Sequence, residues 1–300
     1  MKKNVTQYII LAAVIIASPV ETASAVENGV STYPAGSLTI YNGFIPAPGT
    51  YINMYNEYIN KDKVIGNDGK KSFDAKITGS GHAIQIIHVF DNITFAGANV
   101  GFEIDQTYLD ARFKSSDIGV NTSEGAFGDT TLGFRLGWHD KTVHQQLIIL
   151  GAIPTGSYDK SETFNAGVNY YSGIVHYAVT WLPTKHIEAS GELIGVWNAP
   201  NKDTDYRSGI TANMNYSLNY HFDDGWFSGI SGYWINQITD DKQNGETVNG
   251  NGNRLRTFAI GPQAGYIAPK WAAYLAWHHL AYVRNTSEGD VVWLDLSYKL

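Results

Sequence analysis

Thirteen residues from Ile210 to Phe222, ITANMNYSLNYHF, alternate without a break. Ile210, Ala212, Met214, Tyr216, Leu218, Tyr220 and Phe222 fall on one face of an extended chain; Thr211, Asn213, Asn215, Ser217, Asn219 and His221 fall on the other. Successive side chains of a strand point to opposite sides, so the segment is a strand with one greasy and one wet face. Strands of soluble domains usually run only about 5–6 residues. At about 3.4 Å per residue this one spans about 44 Å. Tilted by about 40°, it still crosses more than the apolar band of about 25 Å that an outer-membrane barrel shows to lipid. The greasy face then meets lipid, the asparagines face a lumen, and the aromatic end approaches the interface beside the Asp223-Asp224 turn.

Similar alternation recurs in TTLGFRLGW, HIEASGELIGVW and VVWLDLSYKL. Twelve strands are predicted, over 49–60, 82–90, 93–104, 127–139, 142–153, 170–182, 186–198, 207–222, 225–239, 254–268, 270–284 and 290–300. Tight turns follow the even strands, at Asp91-Asn92, Asp140-Lys141, Pro183 to Lys185, Asp223-Asp224 and Pro269. Longer polar stretches follow the odd ones, apart from a short NTSEG after the eleventh. That sorting fits a transmembrane antiparallel β-barrel with short periplasmic turns and longer external loops, and an even strand number puts both termini in the periplasm. Trp138, Trp181, Trp226 and Trp271 each lie within two residues of a tight turn, where an interfacial aromatic girdle belongs. The chain ends in Tyr298 and Leu300 on one face, resembling the terminal signal read by the barrel-assembly machinery.

The first residues obey a different logic. Lys2 and Lys3 precede an apolar run from Tyr8 to Val20 and an Ala23-Ser24-Ala25 cleavage signal, which predicts a signal peptide over 1–25. The run is shorter than the roughly 20 residues needed to span as a helix. Removing 1–25 shifts the formal charge from −7 to −8, so an acidic exported chain is a poor partner for nucleic acid. With no cysteine there is neither a disulfide nor a thiolate metal site, and no cofactor is implied. Without a further apolar helix, only a closed barrel satisfies the backbone in lipid.

The stretch Gly29 to Gly36, followed by the Pro46 to Gly49 turn, resembles the opening of a bacterial family of outer-membrane transporters of the meta-pathway of phenol degradation. Three further stretches match: Pro154 to Lys160 with Asn165 to Ser172, Gly232 to Gly245, and Arg256 to Tyr266. The resemblance implies a barrel that carries small hydrophobic, often aromatic, solutes passively across the bacterial outer membrane.

On this reading residues 49–300 form the barrel. Segment 26–48, with Tyr33, Tyr41 and Phe44, is either a periplasmic lead-in that starts below the barrel or a plug folded up into it. The expected lumen carries Arg135, His139, Glu188, Glu192, Asn213, Asn215, Asn219 and His221. Glu188 and Glu192 share a face and call for a cation, for which Arg135 is the candidate. These groups form either a selective constriction or a polar filling of a narrow barrel. The alternatives to a channel are a barrel-embedded hydrolase and a closed structural or adhesive barrel. No histidine stands in a Gly-x-Ser-x-Gly or Ser/His setting, and His278 and His279 point to opposite strand faces, so no catalytic or metal residue is expected.

Overall fold

The structure is a computed structural model that describes Glu27 and residues 31–300; the expected signal peptide lies outside the described residues. Twelve antiparallel strands close into a barrel. They are β1 (Gly49–Ile65), β2 (Lys71–Phe95), β3 (Ala98–Ser115), β4 (Val120–His139), β5 (Val143–Ile153), β6 (Ser172–Trp181), β7 (Ile187–Asn198), β8 (Thr211–His221), β9 (Trp226–Gln237), β10 (Arg256–Ile267), β11 (Trp271–Arg284) and β12 (Thr286–Lys299). Each pairs with its neighbours in sequence, and β1 closes on β12 from Tyr51↔Lys299 to Ile65↔Thr286. Closure leaves no barrel strand with a free edge, which is what a lipid-facing sheet requires. No α-helix occurs among the described residues.

The alternation of β8 does what its sequence dictates. Leu218 and Tyr220 are exposed on the outer wall, while Asn213, Asn215 and Asn219 are buried inside. Trp181, Trp226 and Trp271 are exposed on the outside at the tight-turn end, and Trp197 is exposed near the opposite end. Trp293 breaks the pattern: it points inward and is only 2% exposed.

Two stretches expected as long loops are not loops. β1 and β2 continue to a turn at 66–70, and β3 and β4 to a turn at 116–119. Rungs such as Ser80↔Asp110 and Lys76↔Lys114 carry this extension. Here the alternation is reversed, with Asp74, Lys76, Asp110, Arg112 and Lys114 outward and Phe73, Ala75, Ala111 and Phe113 inward, so the stretches read as polar and lack the greasy outer face of the other strands. The inner face still holds a small cluster of Val64, Phe73 and Ala75 against Phe113 and Ile118. β2 also runs through the expected Asp91-Asn92 turn, and its hairpin closes at Ala96-Gly97, whose φ angles of 49° and 77° fit the two-residue turn of twisted strands. The rim opposite the tight turns is therefore a tall strand wall on the β1–β4 side. The long connections 154–171, 199–210 and 238–255 all lie between β5 and β10.

Two of those connections lock together. Tyr206–Arg207, Lys242–Gln243 and Glu246–Thr247 form a short ladder outside the barrel sheet. At its centre Asp241 is fully buried and accepts from Tyr206 Oη (2.6 Å), Gly209 N (2.7 Å) and Gln237 Nε2 (2.7 Å). Burial pushes its carboxyl up to about 7, with neighbouring Asp240 adding to the rise and the three donors opposing it. A folded-state value above the ordinary carboxylate range means that the fold favours the protonated acid. Its contribution is complete below about pH 4 and is lost as pH rises through about 7. Proteolytic cleavage within 199–210 and 238–255 should therefore accelerate between pH 5 and pH 8.5, and Asp241→Asn should flatten that dependence. A profile that is equally steep in the variant would refute it.

Candidate functional site

Residues 31–48 lie inside the barrel and follow its wall. Gly36 donates its N–H to Asn215 Oδ1 at 3.0 Å. Its φ of +89° and the Tyr233 ring 2.6 Å from any added Cβ leave room for glycine alone. Asn215 Nδ2 also donates to Tyr33 Oη at 2.7 Å. Lower down, Thr39 Oγ1 donates to Gln263 Oε1 (2.7 Å), Tyr41 N–H to Glu188 Oε1 (2.7 Å) and Gly43 N–H to Thr180 Oγ1 (3.0 Å). The Tyr41 ring stacks on His221, and Phe44 stacks on His144 at 3.7 Å between centroids. Ile45 is buried against Ile87 and Val89 and sits over Gly137.

Above this segment, Glu27 accepts from Asn201 Nδ2 (2.8 Å) and from Thr204 Oγ1. Both partners belong to the 199–210 connection at the rim opposite the tight turns. The described residues thus run from Glu27 at that rim to Gly49 at the other, within the barrel. The reason is chemical: the aromatic rings and backbone N–H groups of 31–45 find partners on the polar inner wall.

Gly43 is the tightest point of this path, since a Cβ there would overlap the backbone of His144 and Thr180. Gly43→Val should lift the segment from the wall, and cleavage within 31–48 by added protease should rise about tenfold, as expected when a local contact worth over 1 kcal/mol is lost. Unchanged protection would count against this packing.

The structure brings seven of the eight candidate lumen residues to the inner wall as buried or nearly buried groups. His139 instead stands at the tight-turn rim, exposed, with Nδ1 2.8 Å from His144 Nδ1. The Glu188/Glu192 pair is not served by Arg135. Glu188 meets His221 Nε2 at 2.7 Å, Ser190 Oγ at 2.6 Å and Asn219 Nδ2 at 3.2 Å. Glu192 meets His176 Nδ1 at 2.8 Å and Asn215 Nδ2 at 3.0 Å. Arg135 forms a buried ion pair with Glu103 across the β3–β4 ladder. Which acid an inward arginine meets depends on barrel register, which one chain's alternation does not encode.

Between residues 31–38 and the wall of β1–β7 and β12 lies a cavity of about 220 Å³. Tyr33, Tyr55 and Trp293 supply its rings, Ile148, Leu150 and Ile174 an apolar floor, and Glu103, Asp105, Arg135, His176 and Glu192 its polar side. Sequence reasoning missed Glu103, Asp105 and His176. All three lie on alternating strands whose inward face could have been counted. Trp293 was passed over because a tryptophan inside a strand does not discriminate between girdle and lumen, although its place in the alternation of VVWLDLSYKL puts it on the inward face with Asp295. Asp223 and Asp240 pair with Lys185 and Arg254 on the surface. His278 lies inside with Nε2 2.9 Å from Ser231 Oγ, but its Nδ1 has no partner, so no carboxylate orients the ring as a catalytic triad requires.

The sequence matches, over residues 61–296, the family described as "Putative MetA-pathway of phenol degradation". No curated protein matches it. Among solved structures, an outer membrane channel from Pseudomonas putida F1 superposes with a TM-score of 0.77 at 15% identity, covering 90% of this chain and 100% of that one. The transport unit of the autotransporter AIDA-I from Escherichia coli gives a TM-score of 0.51 at 12% identity, covering 88% and 93%. The shared feature is the fold, an antiparallel barrel of the outer-membrane type.

Proposed function

We propose, from the premise that this chain belongs to the family of the phenol-degradation meta-pathway, that it is a channel for passive uptake of small hydrophobic or aromatic compounds across the bacterial outer membrane. The observation that carries the reading is the mixed cavity beside residues 31–38. It combines aromatic and aliphatic walls with a few polar groups, the composition of a small-molecule site. Solute enters past the connections 154–171, 199–210 and 238–255, and residues 31–48 act as a plug that it must pass or displace. The lipid-facing wall and the terminal strand are the surfaces for the bilayer and for the assembly machinery.

The density of contacts along 31–45 favours a second reading, a permanently closed structural barrel. Uptake of labelled monocyclic aromatics by cells of a porin-poor host decides between them. Expression of the protein should raise the initial rate about fivefold or more over empty vector, in the way that porin-type pathways add to bilayer permeation. Equal rates for every solute would leave the closed barrel standing.

A further inference from the structure

The cavity's charge is lopsided. Five carboxylates line it: Glu57, Glu103, Asp105, Asp129 and Glu192. Arg135 is spent on Glu103, and Lys61 stands two inward positions from Glu57 on β1. Asp129 is tied to the backbone N–H groups of Gly156 (2.8 Å) and Val168 (3.0 Å). Asp105 has a single hydroxyl donor, Thr131 Oγ1 at 2.8 Å. Acidic side chains therefore outnumber basic ones around the cavity, and its low-dielectric walls strengthen whatever charge they carry.

A second feature points the same way. His176 is 5% exposed and places Nδ1 on Glu192, while its Nε2 has no partner. With Nδ1–H donating to the carboxylate, Nε2 is an acceptor that waits for an N–H or O–H. The rings of Tyr33, Tyr55 and Trp293 complete a wall that suits an organic cation. Trp293 Nε1 and Arg135 Nε also lack partners. As donors they serve an oxygen, neutral or anionic, so an alcohol fits as well and the choice against a carboxylate falls to Asp105, Glu192 and His176.

The geometry points to a cavity that discriminates by charge: it takes monocyclic aromatic amines in their ammonium form ahead of neutral aromatic alcohols, and rejects aromatic carboxylates. This rests on the cavity being part of the solute path proposed above. A carboxylate brings no hydrogen for His176 Nε2 and meets Asp105 and Glu192 as like charges, and discrimination of this kind works through repulsion as much as attraction.

Three molecules of nearly equal shape test it: benzylammonium, benzyl alcohol and benzoate, titrated by calorimetry at pH 7 into the full mature barrel in detergent. Benzylammonium should bind about tenfold or more tighter than benzoate, with the alcohol between them. Asp105→Asn and Glu192→Gln should each shrink that ratio by about threefold or more, the effect of removing one nearby charge. Asp223→Asn, at a distant exposed turn, should leave it unchanged. Heat-modifiable gel migration establishes that each variant is folded. Benzoate binding as tightly as benzylammonium, or a ratio unmoved by both cavity variants, overturns the charge assignment and leaves the channel reading intact. Binding of none of the three overturns the solute path itself, and the assignment with it.

Discussion

Deletion of residues 31–47 is expected to raise the single-channel conductance of the barrel in planar bilayers by about tenfold or more, because the segment fills much of the interior that a barrel of this size leaves open. The wall does not depend on the segment: β1 begins at Gly49, and the β1–β12 seam is complete without it. What the deletion removes is a string of lumen contacts, from Gly36 on Asn215 to Phe44 on His144. Those wall groups then face water, which satisfies them. A deletion variant that is folded yet conducts no better than the parent would show that the lumen is closed by the inward wall residues themselves.

The second large effect concerns the ion pair of Arg135 and Glu103, 5% and 1% exposed. Replacing Arg135 by Leu strands a buried carboxylate, and the expected loss is about 3–5 kcal/mol in urea unfolding from lipid vesicles. Glu103→Gln should be of comparable severity, since it strands the guanidinium. The double variant Glu103→Leu/Arg135→Leu should recover most of the loss, because two apolar groups of similar volume need no partner. Strictly additive single-variant losses in the double variant would mean that the two side chains do not act as a pair.

Much of the barrel was legible in the chain. The run Thr211 to His221 gives its inside and outside residue by residue, because a wall between lipid and water imposes opposite polarity on successive side chains. The same physics explains where reading stops. On the tall rim Phe73 and Ala75 alternate with Asp74 and Lys76, and Leu109, Ala111 and Phe113 with Asp110, Arg112 and Lys114, but here the apolar face is the inner one, so the greasy outward pattern that marks the other strands is missing although the ladder continues. Glu188 and Glu192 were identifiable as inward acids, yet their partners His221 and His176 come from other strands, fixed by register and closure. Tyr33, Tyr41 and Phe44 marked a segment in need of burial. Its course from the 199–210 rim down to Gly49 depends on Glu27 and Asn201, which have no motif to announce them.

The proposed channel requires above all that residues 31–48, which lie in the lumen, stand in the way of solute. The chain has no cysteine, so a single engineered disulfide can pin the segment in place. Ile45 Cβ lies 2.5 Å from where a Cβ on Gly137 would stand, and a small shift brings the pair Ile45→Cys/Gly137→Cys to disulfide geometry. Uptake of a labelled monocyclic aromatic by cells carrying this variant, measured before and after reduction, is the most direct test. Uptake should fall to near the empty-vector rate when the bond is closed and recover to the parent rate when it is reduced. Uptake at the parent rate with the segment covalently held would contradict that requirement.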